Sequence, residues 1–460
     1  LGVLNTIGIG RRAIGAAAAG IDVTSQNVAN ANTTGYTRRR LLTEAQAPIT
    51  QRGVFVGQGV SVRGITRASD RILTQRLATS AGLHAQSEAA EEALRTAEIA
   101  FNESDATGIA ESLSRFYDAL SSIATDPSNA SRRQGVLDSA NVLANTVSRS
   151  ARALQSQVEG IDGALTDSTA TVNAKLREIA QLNRAIGRSG LSTGAGDLLD
   201  RRDQLVYQLG ELIGATVDLQ EDGQATVFIG GQAVVNSFEA RTVSVAEDAN
   251  GAAQVYVNTG SGQVRVTDAV TGTMGGRIAA RGHIDTWLAD LDAFASTFAD
   301  TLNNQHQLGF DANGNPGGAM FSYDPANAAA SLAIDGALLT DVKLFAAAGS
   351  ASARAGDAAN IHALADTENA ALYGPTATDP SSEISRLVSD VGATVAAGAN
   401  DTESYGAQLE DLTVMRDSVS RVDTDEEAIR LVEYQASYRA AARVLQAGDE
   451  LLQVLMSVGG

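Results

Sequence analysis

The 460-residue sequence has no cysteine, so neither disulfides nor thiolate chemistry contribute to it. Aromatic residues make up only 4%. The cores are therefore expected to be built from Ala, Leu, Val and Ile, which suit closely packed helices better than aromatic-lined ligand pockets. No segment approaches the roughly 20 uninterrupted apolar residues that a membrane-spanning helix needs, and no membrane association is expected. Positive charge is also scarce: the net charge is −20. That balance opposes nucleic-acid phosphates, so no nucleic-acid partner is expected.

The scarce positive charge is concentrated at one end. Residues 1–80 hold ten arginines against Asp22, Glu44 and Asp70. No aromatic platform interleaves these arginines, so attraction between subunits is the better reading than nucleic-acid binding. Arg11-Arg12 before a short apolar run imitates a cleavable signal. A regular helical periodicity runs through both parts of that stretch, which reads as mature helix.

That periodicity is the main signal at both ends. Val3, Ile7, Gly10, Ile14, Ala17, Ile21, Thr24 and Val28 recur at alternating steps of four and three, a coiled-coil seam with small residues. The following Asn27–Tyr36 segment stops the helix, with Gly35 suited to a position just past its end. In the last 36 residues, Leu431, Tyr434, Tyr438, Ala441, Leu445, Gly448, Leu452 and Leu455 form a matching seam. A second stripe of Ile429, Val432, Ala436, Val444, Ala447, Leu451 and Val454 runs beside it, which predicts a C-terminal helix buried on two sides. Thr424-Asp-Glu-Glu427 reads as a capping box that starts this helix.

Between the ends, residues 41–66 read as extended, 68–100 and 108–124 as helices, and 128–186, free of proline, as one or two very long helices. Residues 214–270 carry short alternating runs separated by turns, the pattern of an inserted antiparallel β-domain. Helix returns at 277–304 and 382–422, and 305–381 is irregular. The fold class is thus mainly α with an inserted antiparallel β-domain, paired terminal coiled-coil helices and a long-helix, rod-like body. The division is 1–66 with 423–460 as a terminal helical core, 67–213 with 271–422 as a long-helix domain, and 214–270 as the insert.

Catalytic signals are weak throughout. His84, His283, His306 and His362 have no metal-ligand spacing. Asp311-Ala-Asn313-Gly-Asn315 begins like a calcium loop, but Pro316 and Ser322 stand where glycine and a bidentate glutamate belong, so a β-turn is expected. Glu91-Glu92 and Asp425-Glu426-Glu427 read as solvated or helix-start acidic runs. No enzyme activity, metal or cofactor is expected.

The segment Gln26-Asn27-Val-Ala-Asn30-Ala-Asn32-Thr-Thr-Gly35-Tyr36-Thr-Arg38 closely resembles the N-terminal motif of bacterial flagellar axial proteins. The segment Glu427–Leu445, with Tyr434-Gln435 at its centre, is similar to the C-terminal motif of the same family. The stretch 57–77, Asp200-Arg-Arg-Asp203-Gln-Leu, Gly275-Gly276-Arg277 and Leu302–Gly309 narrow the resemblance to the hook-associated protein 1 family. It covers nearly the whole chain and is weakest over 320–380 and within the β-insert.

The resemblance implies a structural role joining hook to filament, by copies ringed around the flagellar channel. It implies as partners further copies of the chain, the hook protein, the second hook–filament junction protein, and an export chaperone at the C-terminal helix. It also implies an extracellular location on the flagellum, reached by flagellar export without signal cleavage. Two alternatives are another axial protein of the hook or distal rod, and a secreted adhesin that uses its coiled-coil ends only to oligomerise. A peptidoglycan-cleaving flagellar enzyme would need a carboxylate-lined cleft.

Overall fold

A computed structural model describes residues 2–51, 54–101, 108–189, 195–249, 251–352, 356–374 and 376–458. The long helices are α1 (Gly2–Ala29), α2 (Arg71–Glu98), α3 (Ile109–Ile123), α4 (Ala130–Ser189), α5 (Gly196–Ile213) and α6 (Gly272–Leu308). Short helices α7 (Ala328–Ser331), α8 (Gly336–Thr340) and α9 (Ala359–Asp366) precede the long α10 (Pro380–Ser420) and α11 (Thr424–Val458). The proline-free stretch is a single 60-residue helix, α4, about 90 Å long at 1.5 Å per residue.

Strands β1 (Arg39–Ala45), β2 (Ile49–Gln51), β3 (Val54–Val56) and β4 (Val60–Arg67) form nested antiparallel ladders, β1 with β4 and β2 with β3. The 214–270 region holds β5 (Thr216–Leu219), β6 (Ala225–Ile229), β7 (Gln232–Asn236), β8 (Glu239–Ala240), β9 (Val243–Glu247), β10 (Ala253–Thr259) and β11 (Gly262–Arg265). They make two antiparallel sheets, β5-β6-β7-β8 and β11-β10-β9. A small ladder of β12 (Phe321–Ser322) and β13 (Ala333–Ile334) lies in the irregular stretch.

Gly214 makes the turn from α5 into β5. It sits at φ +67°, and its amide donates to Gly210 O at 2.9 Å, the left-handed close of a helix. A Cβ there would fall 1.7 Å from Thr271 Oγ1, so only glycine fits.

Two compact units emerge. One comprises Leu1–His84, Thr169–Gly272 and Tyr405–Gly460; the other comprises Ala85–Ser168 and Thr273–Ser404. The second unit corrects the expectation of aromatic-poor cores. Its interior gathers Phe116, Phe298 and Phe321, with ring centroids 5.4 to 6.3 Å apart, and pairs Phe294 with Tyr373 at 5.6 Å. The buried Trp287 donates from Nε1 to Asp390 at 3.1 Å. The few aromatics are thus spent where one core needs large, directional side chains.

The irregular stretch is held by side-chain bonds to backbone. Asn303 Oδ1 accepts from the amides of Met320 and Phe321, and Asn360 donates to Ala346 O at 2.7 Å. No helix is long and apolar enough to cross a membrane among the described residues.

Candidate functional site

In the first unit α1 and α11 pack along each other. A Cβ on Gly20 would meet the Tyr434 ring at 2.5 Å, one on Gly10 would meet Leu445 Cγ at 3.0 Å, and one on Gly448 would meet Ile7 Cγ1 at 2.7 Å. The pairs 20/434, 10/445 and 7/448 run in opposite directions, so the helices are antiparallel. Glycines on both sides let the backbones approach closely, as the small-residue pattern predicts.

The seam residues divide by exposure. Ala17 and Ala441 are buried, and Val3, Ile7, Ile14, Ile21, Leu431, Tyr434, Leu445 and Leu452 are half-buried. Val28, Tyr438 and Leu455 are exposed. The two-sided burial expected of α11 is that of a packed array of copies, and a single chain packs α1 against one side of it. Within one chain α1 is the helix covered on two sides, since Ile9 also packs 3.2 Å from the Cβ position of Gly59 beside β4. The second stripe of α11 is open: Ile429, Val432, Val444, Leu451 and Val454 are 40% to 63% exposed.

Where the two ends meet, a polar knot replaces apolar packing. Asn27, 0% exposed, donates from Nδ2 to Arg39 O and to Glu427 Oε2, both at 2.9 Å. Its Oδ1 accepts from Arg39 N and from the Tyr36 hydroxyl, also at 2.9 Å. All four bonding positions of the amide are used. Glu427, 1% exposed, takes Arg38 Nε at 2.8 Å on its other oxygen. This corrects both readings of the acidic run. The cap of α11 is Asp423, whose Oδ1 accepts from the amides of Asp425 and Glu426. Glu427 is neither a cap partner nor a solvated charge.

The knot continues toward α5. Arg38 is fixed through its backbone, its N–H donating to Ser420 O at 2.9 Å and its carbonyl accepting from Ala68 N at 2.8 Å. Arg67 donates from Nε to Asp200 at 2.8 Å and from Nη2 to Asp203 at 2.7 Å. Arg39 pairs with Asp197 and lies over the Tyr36 ring, 5.2 Å from its centroid. Burial raises the Asp200 carboxyl above its ordinary value, against the opposing pull of Arg67, Thr37 and Arg39.

Of the motif residues, Asn27 and Tyr36 thus belong to the knot. Asn30 closes the turn after α1, donating to Gln26 O at 2.9 Å, and Gly35 provides a left-handed φ of +82°. Asn32 and Gln435 are exposed. Sequence reasoning did not single out Arg38, Arg39, Arg67 or Glu427 as site residues, although each lies in or beside a quoted motif.

Beside the knot lies a cavity of about 280 Å³, lined by Leu73, Leu77, Tyr207 and Val419 with Asp70 and Arg416 among its polar residues. In the second unit, the buried His306 donates or accepts at Nδ1 with Gly318 O at 2.8 Å, and its Nε2 lies 2.8 Å from Ala346 N–H. An amide can only donate, so Nε2 accepts and Nδ1 carries the proton. Burial lowers the imidazole below its ordinary value, against the Gly318 bond, which raises it. The Asp311 carboxylate is occupied by its own turn, accepting from Asn313 N and Asn315 N at 2.7 and 2.8 Å. Among the described residues no group of three or more His, Asp or Glu could hold a metal ion.

An antiparallel terminal pair tied by a buried Asn–Glu–Arg knot places the chain in a structural class whose two ends form one element. The family of flagellar basal body rod proteins matches residues 7–37, and the C-terminal family of flagellar basal body rod FlgEFG proteins matches 417–458. Residues 94–321 match the helical domain of flagellar hook-associated protein FlgK.

Flagellar hook-associated protein 1 of Salmonella typhimurium is 30% identical over 67% of this chain, and the chain spans 58% of that relative's length. Its counterparts in Escherichia coli K12 and Bacillus subtilis 168 are 25% and 26% identical over 97% and 98% of this chain, and 98% of each relative is covered. The flagellar hook junction protein FlgK from Burkholderia pseudomallei shares the fold, with a TM-score of 0.68 at 16% identity over 75% of this chain and 100% of that one. The chain belongs to the flagellar hook-associated protein 1 family.

Proposed function

We propose that this chain is a structural subunit that joins hook to filament by assembling into a junction ring through its terminal helices. The observation that carries the reading is the open stripe of α11. One face of this helix is covered by α1, while Ile429, Val432, Val444, Leu451 and Val454 on the other stay 40% to 63% exposed. Leaving such side chains in water costs about 1.5–3 kcal/mol each relative to burial, and a ring recovers this at every subunit.

In this reading the neighbours are further copies, the hook protein and the second junction protein, and a chaperone holds α11 during export. The subunit works outside the cell, is exported without signal cleavage and carries out no catalysis. The terminal regions 1–66 and 423–460 form the assembly core, 67–213 and 271–422 the long-helix domain, and 214–270 an insert outside the assembly contacts.

The test is to express Val432→Asp and Leu451→Asp in a strain lacking the gene, confirm secretion and folding, and score attached filaments. Both variants are expected to abolish attachment, and Glu450→Ala to leave it near wild type. Wild-type filament numbers with both aspartate variants would refute the stripe as the assembly surface.

A further inference from the structure

Along the open side of α11, Val458, Val454, Leu451, Ala447, Val444 and Ala440 recur at alternating steps of four and three, and all six are exposed. α1 has a matching free side, away from both α11 and the β1–β4 ladder. Leu4, Gly8, Arg11, Gly15, Ala18 and Asp22 follow each other along it at the same alternating steps. A Cβ on Gly15 would meet nothing within 4 Å, and one on Gly8 would meet only the Arg12 side chain.

Inside the chain, α1 and α11 pack by setting a large side chain of one helix on a glycine of the other, as at Gly10 with Leu445 and Gly448 with Ile7. The two open faces offer the same complementarity. Laid antiparallel with Leu4 at Val458, they bring Val454 onto Gly8 and Val444 onto Ala18, and the stem of Arg11 over Leu451. We propose that the open stripe of α11 docks on the free face of α1 of a second copy, antiparallel and in this register. The inference rests on the assembly through α11 proposed above and names what covers its stripe.

Charge selects the register. α1 carries only three charged residues, and Arg12 turns aside to Gln58, which leaves Arg11 and Asp22 on the free face. Between Val432 and Val454 the charges beside the stripe are Glu433, Arg439, Arg443 and Glu450, all exposed. Asp449 lies round the helix from them by its spacing. In the proposed register Arg11 lies beside Glu450, and Asp22 lies between Arg439 and Arg443. A slip of one heptad, to the register used inside the chain, would set Arg11 beside Arg443 and Asp22 beside Glu433. Both contacts would then be like-charged and repulsive. A slip the other way carries Arg11 past Glu450. The heptad offset from the internal pairing displaces each copy by about 10 Å along its neighbour. Donor and acceptor faces differ, so the contact repeats head-to-tail and successive copies climb.

The chain has no cysteine, so introduced pairs report contacts without background. The full chain with Gly8→Cys and Val454→Cys is expressed in the strain lacking the gene, and intact flagella are oxidised. A ladder of disulfide-linked copies is the expected result. Gly8→Cys with Ala447→Cys, which reads the slipped register, is expected to give none. Arg11→Glu and Glu450→Arg are each expected to lower the number of attached filaments about tenfold, and the two together to restore it to within about twofold. Loss of one rim charge alone costs little, which keeps Glu450→Ala near wild type. A ladder from the slipped pair, links to another protein, no ladder from flagella with normal filaments, or no recovery in the charge-swapped variant would each overturn the inference. None of these results would touch the assembly role of the α11 stripe, which falls only if Val432→Asp and Leu451→Asp attach filaments normally.

Discussion

Glu427→Ala is the most demanding test of the polar knot. In the structure Glu427 is 1% exposed and bonds Arg38 on one oxygen and Asn27 on the other. Its removal leaves a guanidinium that is 8% exposed, with only Glu426 beside it, and Glu426 is itself 56% exposed and screened by water. Removing one partner of a buried ion pair costs about 3–5 kcal/mol, because the remaining charge is left desolvated. Stranding one donor of the buried Asn27 falls within that figure. A loss of about 3 kcal/mol raises the open fraction of the α1–α11 contact by about a hundredfold.

Amide hydrogen exchange reads this locally, without assuming that the whole chain unfolds as one unit. Amides of residues 20–29 and 427–434 should exchange about a hundredfold faster in Glu427→Ala, while those around Leu120 and Phe298 stay unchanged. Glu426→Ala, which removes only the exposed partner, should cost less than about 1 kcal/mol and accelerate the same amides less than tenfold. Glu427→Gln keeps an oxygen for Asn27 but not the charge for Arg38, and should fall between. Equal exchange in Glu427→Ala and Glu426→Ala would refute the argument, since burial would then make no difference.

Gly20→Ala should destabilise the terminal pair by about 1–3 kcal/mol through its clash with Tyr434, while Gly15→Ala, with open space at its Cβ, should stabilise α1 by up to about 1 kcal/mol. Thermal melts of the two variants check the opposite signs. His306 makes the second unit sensitive to acid: its folded-state value lies below the ordinary 6.5, so the unfolded chain binds the proton first. Its contribution is complete above about pH 6.5 and is lost as pH falls through that value toward the folded one, with a slope of up to about 1.4 kcal/mol per pH unit. Urea titrations of wild type and His306→Gln between pH 7.5 and about 5 should show this extra slope only in the wild type.

Helical content was legible because it is written locally. The long proline-free stretch gave α4, and the alternating runs in 214–270 gave β6, β10 and β11. The three–four spacing gave the apolar faces of α1 and α11 but not what covers each, because periodicity reports that a face is apolar and not its partner. Glu427 shows the limit most clearly. A glutamate three residues after a threonine satisfies a local capping rule, yet its partners lie 389 and 400 residues away in the chain. The signal that could have found it was the pairing of an arginine-rich motif at one end with an acidic motif at the other. The stretch 305–381 was opaque for a different reason: isolated side chains such as Asn303, His306 and Asn360 hold it by bonding backbone groups, which leaves no period.

The antiparallel register of α1 and α11 also fixes when this element can form. Residues far apart in the sequence pair: Ile7 waits for Gly448, and Gly10 for Leu445. During synthesis from the N-terminus, α1 therefore lacks its mate until α11 has been made, and a chain interrupted before Glu427 leaves Asn27 and Arg38 without that carboxylate. Contacts of such long sequence separation close slowly, because the loop entropy must be met before they stabilise anything. Completion of the terminal pair is thus a molecular inspection of continuity: a chain that stops before α11 cannot pass it, and its α1 keeps an apolar face without its mate.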